Sequence, residues 1–220
     1  MIDHLLVIYR SWISSAVVIA HPSFAETLRG HLADRSGTIG IEVVEQSART
    51  GMLDAVLLAG TAVARREPEE VWITWGDQVG VRQTTIERLA AAMAAAPRPL
   101  LALPTVPGPA PYTHFERDAS GRITRFLQRR EGDVMPAEGE SDMGLFALTR
   151  ECYERRLPEY ARSVRPGEAT GERNFVPFVA WLAARDRVVT VRCTDPREAI
   201  GVNTPEDLRS VERWLGSRPA

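Results

Sequence analysis

The sequence predicts an α/β fold in three layers, with a mainly parallel sheet between helices and one antiparallel hairpin. Two observations carry this expectation. Short apolar runs alternate with helix-periodic segments through most of the chain, the grammar of βαβ units. Several of these runs, such as Ala16-Val17-Val18-Ile19-Ala20, are continuous rather than alternating, as strands covered on both faces require.

Residues 3–12 predict the first helix, because Leu5, Leu6, Ile8 and Tyr9 fall on one helical face. Residues 16–20 follow as a strand. Residues 22–32 form a helix that starts at Pro22, where a missing amide costs little. Residues 39–44 are the next strand, 53–65 a helix, 71–75 a strand, 83–95 a helix and 100–103 a buried strand. Residues 104–111 hold four prolines, and the expectation is an irregular connection that sustains no ladder. Residues 112–117 and 122–128 flank Asp118-Ala119-Ser120-Gly121, a hairpin signal. Residues 129–141 read as polar and flexible, 142–148 as a strand, 149–160 as a helix, 163–170 as a loop, 172–184 as a helix and 188–193 as a strand. The last helix, 205–215, has Thr204 as its cap, Pro205 at its first position and acidic residues in its first turn.

At 220 residues, 44% hydrophobic and 25% charged, the chain can bury a substantial core. The expectation is one domain over 1–215 with a short tail, 216–220. A net charge of −2 and a pI near 6.1 argue against general nucleic-acid binding. All 27 basic residues are arginine and none is lysine; arginine favours planar recognition of phosphates and carboxylates. Cys152 and Cys193 stand far apart without metal-ligand spacing, so neither a disulfide framework nor a zinc site is expected, and a reducing cytoplasm fits. Asp3, His4 and Arg10 interrupt the amino-terminal apolar residues, which excludes a signal peptide there, and no apolar run reaches the roughly 18 residues of a membrane span.

The segment Glu70-Val71-Trp72-Ile73-Thr74-Trp75-Gly76-Asp77-Gln78 places a carboxylate at the carboxyl end of a strand, the edge where open α/β sheets bind ligands. Ala199-Ile200-Gly201-Val202-Asn203 places an amide just before the last helix. Asp77 and Asn203 are the two hard oxygen donors expected to hold a phosphate-bound Mg²⁺. A turn aspartate and an asparagine before a helix also occur for backbone reasons alone. Trp72 and Trp75 read as core, His21 as structural and His114 as a partly exposed hairpin residue.

Five places, in order, resemble the sugar-1-phosphate nucleotidyltransferases, and more loosely the molybdenum-cofactor nucleotidyltransferases. They are Thr50-Gly51 before a helix, Gly76-Asp77 after a strand, Tyr112 with the Asp118–Gly121 hairpin, Gly171-Glu172, and Gly201-Val202-Asn203. The resemblance implies a Rossmann-like nucleotidyltransferase sheet. It implies transfer of a nucleoside monophosphate from a nucleoside triphosphate to a sugar phosphate or similar acceptor, with release of pyrophosphate. Asp77 and Asn203 would act as the catalytic Mg²⁺ ligands. Gln46, Thr50, Gly51, Gly76 and Asp77 would face the nucleotide, and Tyr112, Thr113, Gln128, Asp142 and Glu172 the acceptor.

The chain departs from that family in three places. Arg49-Thr50-Gly51 stands where the family usually has Gly-Thr-Gly. Thr113, Gln128 and Asp142 stand where relatives commonly carry glycine, glutamate and asparagine. The family's opening strand, glycine-rich loop and Pro-Lys pair have no counterpart, so Met1 begins where a relative is already in its first helix. The expectation is therefore a sheet lacking its first strand, with unpaired edges, a packing gap and an inclination to homo-oligomerise. Activity is expected to be low or absent in the chain as it stands. A late start, a truncation complemented by another chain and a degenerate binder stay open as explanations. A glycosyltransferase reading is disfavoured because Gly76-Asp77-Gln78 supplies one carboxylate rather than Asp-x-Asp.

Overall fold

The computed structural model describes residues 1–33, 39–193 and 195–216; residues 217–220 of the expected tail lie outside the described residues. Helix α1 (Ile2–Tyr9) leads into β1 (Ser15–Ala20), α2 (Pro22–Ala33) and β2 (Gly40–Glu45). Then come α3 (Met52–Leu58), α4 (Gly60–Arg66), β3 (Glu70–Thr74), α5 (Gln83–Ala94) and β4 (Leu101–Pro109). The hairpin is β5 (Thr113–Arg117) and β6 (Ile123–Gln128), followed by β7 (Glu138–Asp142) and β8 (Leu145–Thr149). Helices α6 (Leu157–Ser163) and α7 (Pro177–Ala183), strand β9 (Val188–Arg192) and α8 (Pro205–Gly216) complete the chain.

The main sheet runs β3-β8-β4-β7, with β9 also paired to β4. β8 is antiparallel to both β3 and β4, and β9 is parallel to β4, so β3, β4 and β9 point one way and β8 and β7 the other. Successive side chains on a strand face opposite sides, and two cores follow. Leu101, Leu103, Phe146 and Leu148 enter one, with Leu53, Phe175 and Phe178. Ala102, Leu145 and Ala147 enter the other, against Leu5, Ile86, Leu89 and Val211. Helices thus cover both faces, as the expected three layers require.

Strands β1 and β2 form a separate parallel pair. On its way to β1, the chain places His4 on the Val79 carbonyl, Tyr9 on Thr74 and Trp12 on the Trp72 ring. Helix α1 therefore runs antiparallel to β3, and β1 begins three residues after Trp12, which stacks on Trp72 near the start of β3. Between the two strands lies a cavity of about 1780 Å³, edged by β1 and β3 and walled by α1 on one side and α3 and α4 on the other. Among the described residues, β1 pairs only with β2 and β3 only with β8. The expected gap and unpaired edges are present, in the form of a slot.

Several local expectations are corrected. The proline-rich segment is part of β4 and pairs with β7 from Thr105 to Pro109. The Thr105 carbonyl accepts the Cys193 N–H on the β9 side. Pro107 and Pro109 share that alternation, and β9 ends opposite Thr105. Their missing N–H groups therefore face a side without a ladder partner among the described residues, where proline is tolerated. Residues 138–142, expected to be flexible, form β7 because β4 offers them an edge. The expected strand over 142–148 breaks at Gly144, whose φ is +64° and whose α-carbon packs so closely on the Trp75 ring that a side chain would collide with it.

The expected helix over 53–65 is two helices meeting at Ala59-Gly60; glycine inside a helix weakens it. The expected helix from 172 begins at Pro177 instead, because the Arg173 backbone is occupied elsewhere. Its N–H donates to the Thr50 carbonyl and its carbonyl accepts from Leu53. Residues 150–163 are continuously helical, with a π-helical stretch over Cys152–Arg156.

Candidate functional site

The carboxyl end of β3 is the centre of the site. After Thr74 the chain turns, with the Gln78 N–H on the Trp75 carbonyl and the Val79 N–H on the Asp77 carbonyl. The Val202 N–H donates to the same Asp77 carbonyl at 3.1 Å, which lays residues 201–203 against the turn. A methyl group at Gly201 would stand 2.8 Å from Asp77 Oδ2 and 3.2 Å from Asn203 Nδ2. The two side chains thus converge beside the one residue small enough to leave the space between them open. Asn203 Nδ2 donates to the Gly201 carbonyl at 3.3 Å, so the amide nitrogen is the atom held on the Gly201 side. The last helix is capped as expected: Thr204 Oγ1 accepts from the Asp207 N–H, and Asp207 Oδ2 accepts from the N–H groups of Thr204 and Asn203.

Among the described residues no group of three or more His, Cys, Asp or Glu could hold a metal ion. One carboxylate and one amide oxygen suit a different case, a Mg²⁺ that arrives on phosphates, keeps several waters and takes only one or two protein ligands. The donor set therefore fits the group that the resemblance implies.

Burial raises the Asp77 carboxyl above the usual carboxylate range. Burial raises Asp142 as well, opposed by the Gly144 N–H at 3.0 Å and the Thr113 hydroxyl at 3.0 Å. Both line the large cavity. Two carboxylates raised by burial in one cleft make it a candidate functional site.

The cavity brings together Gln46, Gly76, Asp77, Tyr112, Thr113, Gln128, Asp142 and Asn203, which sequence reading had placed on separate segments. Thr50, Gly51 and Glu172 stand off its lining. Gln46 Nε2 donates to the Gly51 carbonyl at 3.2 Å, bracing the loop after β2 from within. Gly51, at φ +113°, packs directly on the Arg173 backbone, where a side chain would not fit. Glu172 pairs with the Arg130 guanidinium, which also reaches Asn174 Oδ1. Arg130 and Asn174 do line the cavity. Arg130 lies in the short 3-10 turn Arg129–Glu131 after β6 ends at Gln128, so strand alternation did not mark it. His114 Nδ1 accepts the Glu140 N–H and His21 Nδ1 the Ser23 N–H, so both act on backbone. Trp75 packs on Phe146 and Phe175.

Comparison with known proteins follows the same lines. A family model described as a MobA-like NTP transferase domain matches residues 1–141. The bifunctional protein GlmU of Koribacter versatilis is 28% identical over 228 residues, covering 98% of this chain and 45% of that protein. The GlmU protein of Solibacter usitatus is 28% identical over 206 residues, covering 92% and 42%. The chain thus spans less than half the length of these relatives. A crystal structure of a nucleoside-diphosphate-sugar pyrophosphorylase from Vibrio cholerae RC9 superposes with a TM-score of 0.64 at 12% identity, covering 96% of this chain and 85% of that one; the two share a fold. Among the described residues no helix is long and apolar enough to cross a membrane.

Proposed function

The chain belongs to the MobA-like NTP transferase family, and from that premise we propose that it is built for Mg²⁺-dependent transfer of a nucleoside monophosphate from a nucleoside triphosphate to a sugar phosphate or similar acceptor. The observation that carries this reading is the meeting of Asp77 and Asn203 beside Gly201, at the mouth of a cavity that extends to Thr113, Gln128 and Asp142. An acceptor phosphate oxygen would attack the α-phosphorus; the bond from that phosphorus to the bridging oxygen breaks, and pyrophosphate leaves with the electron pair. No covalent nucleophile on the protein is required.

Each side chain then has a role. Asp77 and Asn203 would hold the cation. When bound, Mg²⁺ spreads the charge that develops on the phosphates and aligns the attacking oxygen. The loop containing Gln46, Thr50 and Gly51 would present backbone groups to the base. Thr113, Gln128 and Asp142, with Tyr112 at the rim, would orient the acceptor. Glu172 would act through Arg130.

The slot between β1 and β3 opens at its carboxyl end toward Asp77. We read it as the place for a further parallel strand, whose following loop would lie over the phosphates. The lysine-free composition and this slot favour a second reading, nucleotide-sugar binding without turnover. Self-association through the open edges belongs to the same proposal, and light scattering from a clean monomer would remove it.

The experiment is a pyrophosphate-release assay with each common nucleoside triphosphate and a mixture of sugar phosphates, with Asp77→Ala in parallel. Release that disappears in the variant supports transfer. Nucleotide binding without release supports the second reading, and neither from a folded protein contradicts both.

A further inference from the structure

Glu198 is 3% exposed, and its position suits neither substrate contact nor a surface ion pair. Its Oε2 accepts the Arg82 backbone N–H at 2.8 Å and the Thr85 hydroxyl at 2.7 Å. Its Oε1 accepts the Cys193 thiol at 3.2 Å and lies 3.8 Å from Arg82 Nε. Arg82 in turn pairs with Asp195 at 2.5 Å, and Asp195 with Arg197 at 2.8 Å. These contacts join two segments more than a hundred residues apart, the loop that follows Asp77 and the turn that precedes Asn203. Gly80 sits in the same seam, where a methyl group would stand 2.9 Å from the Arg197 carbonyl. One hydrogen bond beyond this clasp, Val202 to the Asp77 carbonyl, sets the approach of Asn203 to Asp77.

We propose that Glu198 is the positioning residue of the cation site: its carboxylate clasps the 79–85 segment to Cys193 and the 195–199 turn and thereby fixes Asn203 opposite Asp77. The assignment rests on Asp77 and Asn203 being the cation ligands, as proposed above. The physical reason is spatial tolerance. Hard cations such as Mg²⁺ demand narrow ligand geometry, whereas Asn203 is itself exposed and is positioned through its neighbours, Ile200 and Val202, which pack on the core. A buried acceptor with three donors fixes the turn that leads into Asn203, and groups that orient ligands typically change metal affinity by about 10–100-fold when removed. Glutamine keeps the length and one acceptor oxygen for Arg82 and Thr85; alanine keeps neither.

The test is Mn²⁺ binding to the 220-residue protein, followed by the loss of free-ion electron paramagnetic resonance signal, with thermal midpoints recorded alongside. The wild type binds, and Asp77→Ala does not. Glu198→Ala weakens binding about tenfold or more, Glu198→Gln by roughly threefold or less, and Leu157→Ala, in the opposite core, lowers the midpoint without moving affinity. Should Glu198→Ala fail to fold, Thr85→Val removes one donor at constant shape and is expected to weaken binding measurably. Affinity within twofold of wild type in the folded Glu198→Ala protein, or in Thr85→Val when that variant is the one available, overturns the positioning role. A wild type that binds no Mn²⁺, or an Asp77→Ala variant that binds as well as wild type, overturns the cation site itself and the clasp with it.

Discussion

Two sets of carboxylates in this molecule are held in opposite ways. Asp195, the cap of the Pro196–Ala199 turn, carries Arg197 and Arg82 against it and is held down to about 2. Glu140, which burial pushes up, is brought below its usual range by the Arg117 fork and Thr105. Asp77 and Asp142, in the cavity, are raised by burial, and among the described residues no arginine pairs with either. Arginines thus pair with Asp195 and Glu140 and, among the described residues, with neither of the two carboxylates that face the cavity. A carboxylate already matched by arginine is a poor cation ligand; an unmatched one costs stability and remains available.

The strongest way to break this contrast is to remove the unmatched carboxylate. Asp77→Asn is expected to reduce Mg²⁺-dependent turnover or nucleotide affinity on the order of 10³-fold, the scale of several kcal/mol of charge stabilisation, measured by pyrophosphate release or calorimetry. Gly201→Ala keeps both ligands and drives a methyl toward Asp77 Oδ2. It should cost about 10–100-fold in cation affinity while the thermal midpoint stays near wild type, a combination that separates site blockage from unfolding.

The pH dependence sharpens the contrast through opposite signs. Asp142 has a folded value above its unfolded one, so the folded state binds more protons in the window between them and stability falls as pH rises through it. Asp142→Asn should therefore raise the thermal midpoint at pH 7, with the gain shrinking below the ordinary carboxylate value of about 4. Asp195 is the reverse case. Its contribution is present above about 4 and is lost as pH falls toward its folded value of about 2, so Asp195→Asn should lower the midpoint at pH 7 and have little effect at pH 2. The same sign for both variants at neutral pH would remove the distinction. The smallest effect is expected from chelation, since one carboxylate and one amide oxygen hold a cation only weakly without substrate phosphates: with no cation added, excess EDTA should leave the midpoint of the protein unchanged.

Local sequence made Asp77 legible, because a strand followed by a turn is a short-range pattern and a carboxylate there has few structural duties. Thr204 and the last helix were legible for the same reason. The proline strand was not, because its stability depends on β9 ending opposite Thr105, which no local pattern records. The break at Gly144 depends on Trp75, and the late start of α7 on the Thr50 backbone, both distant in sequence. Glu198 was invisible for a related reason: its partners Arg82 and Thr85 lie 116 and 113 residues away. The slot between β1 and β3 was expected from the resemblance rather than from periodicity, which describes elements singly and is silent on what separates two of them.

The central claim is that the unmatched Asp77 is the cation ligand through which nucleotide is held. Calorimetric titration of nucleoside triphosphates into the protein, with and without Mg²⁺ and in Asp77→Ala, tests it most directly. The account predicts binding that requires Mg²⁺ and is lost in the variant. Equal binding without Mg²⁺, or undiminished Mg²⁺-dependent binding in a folded Asp77→Ala protein, would contradict it.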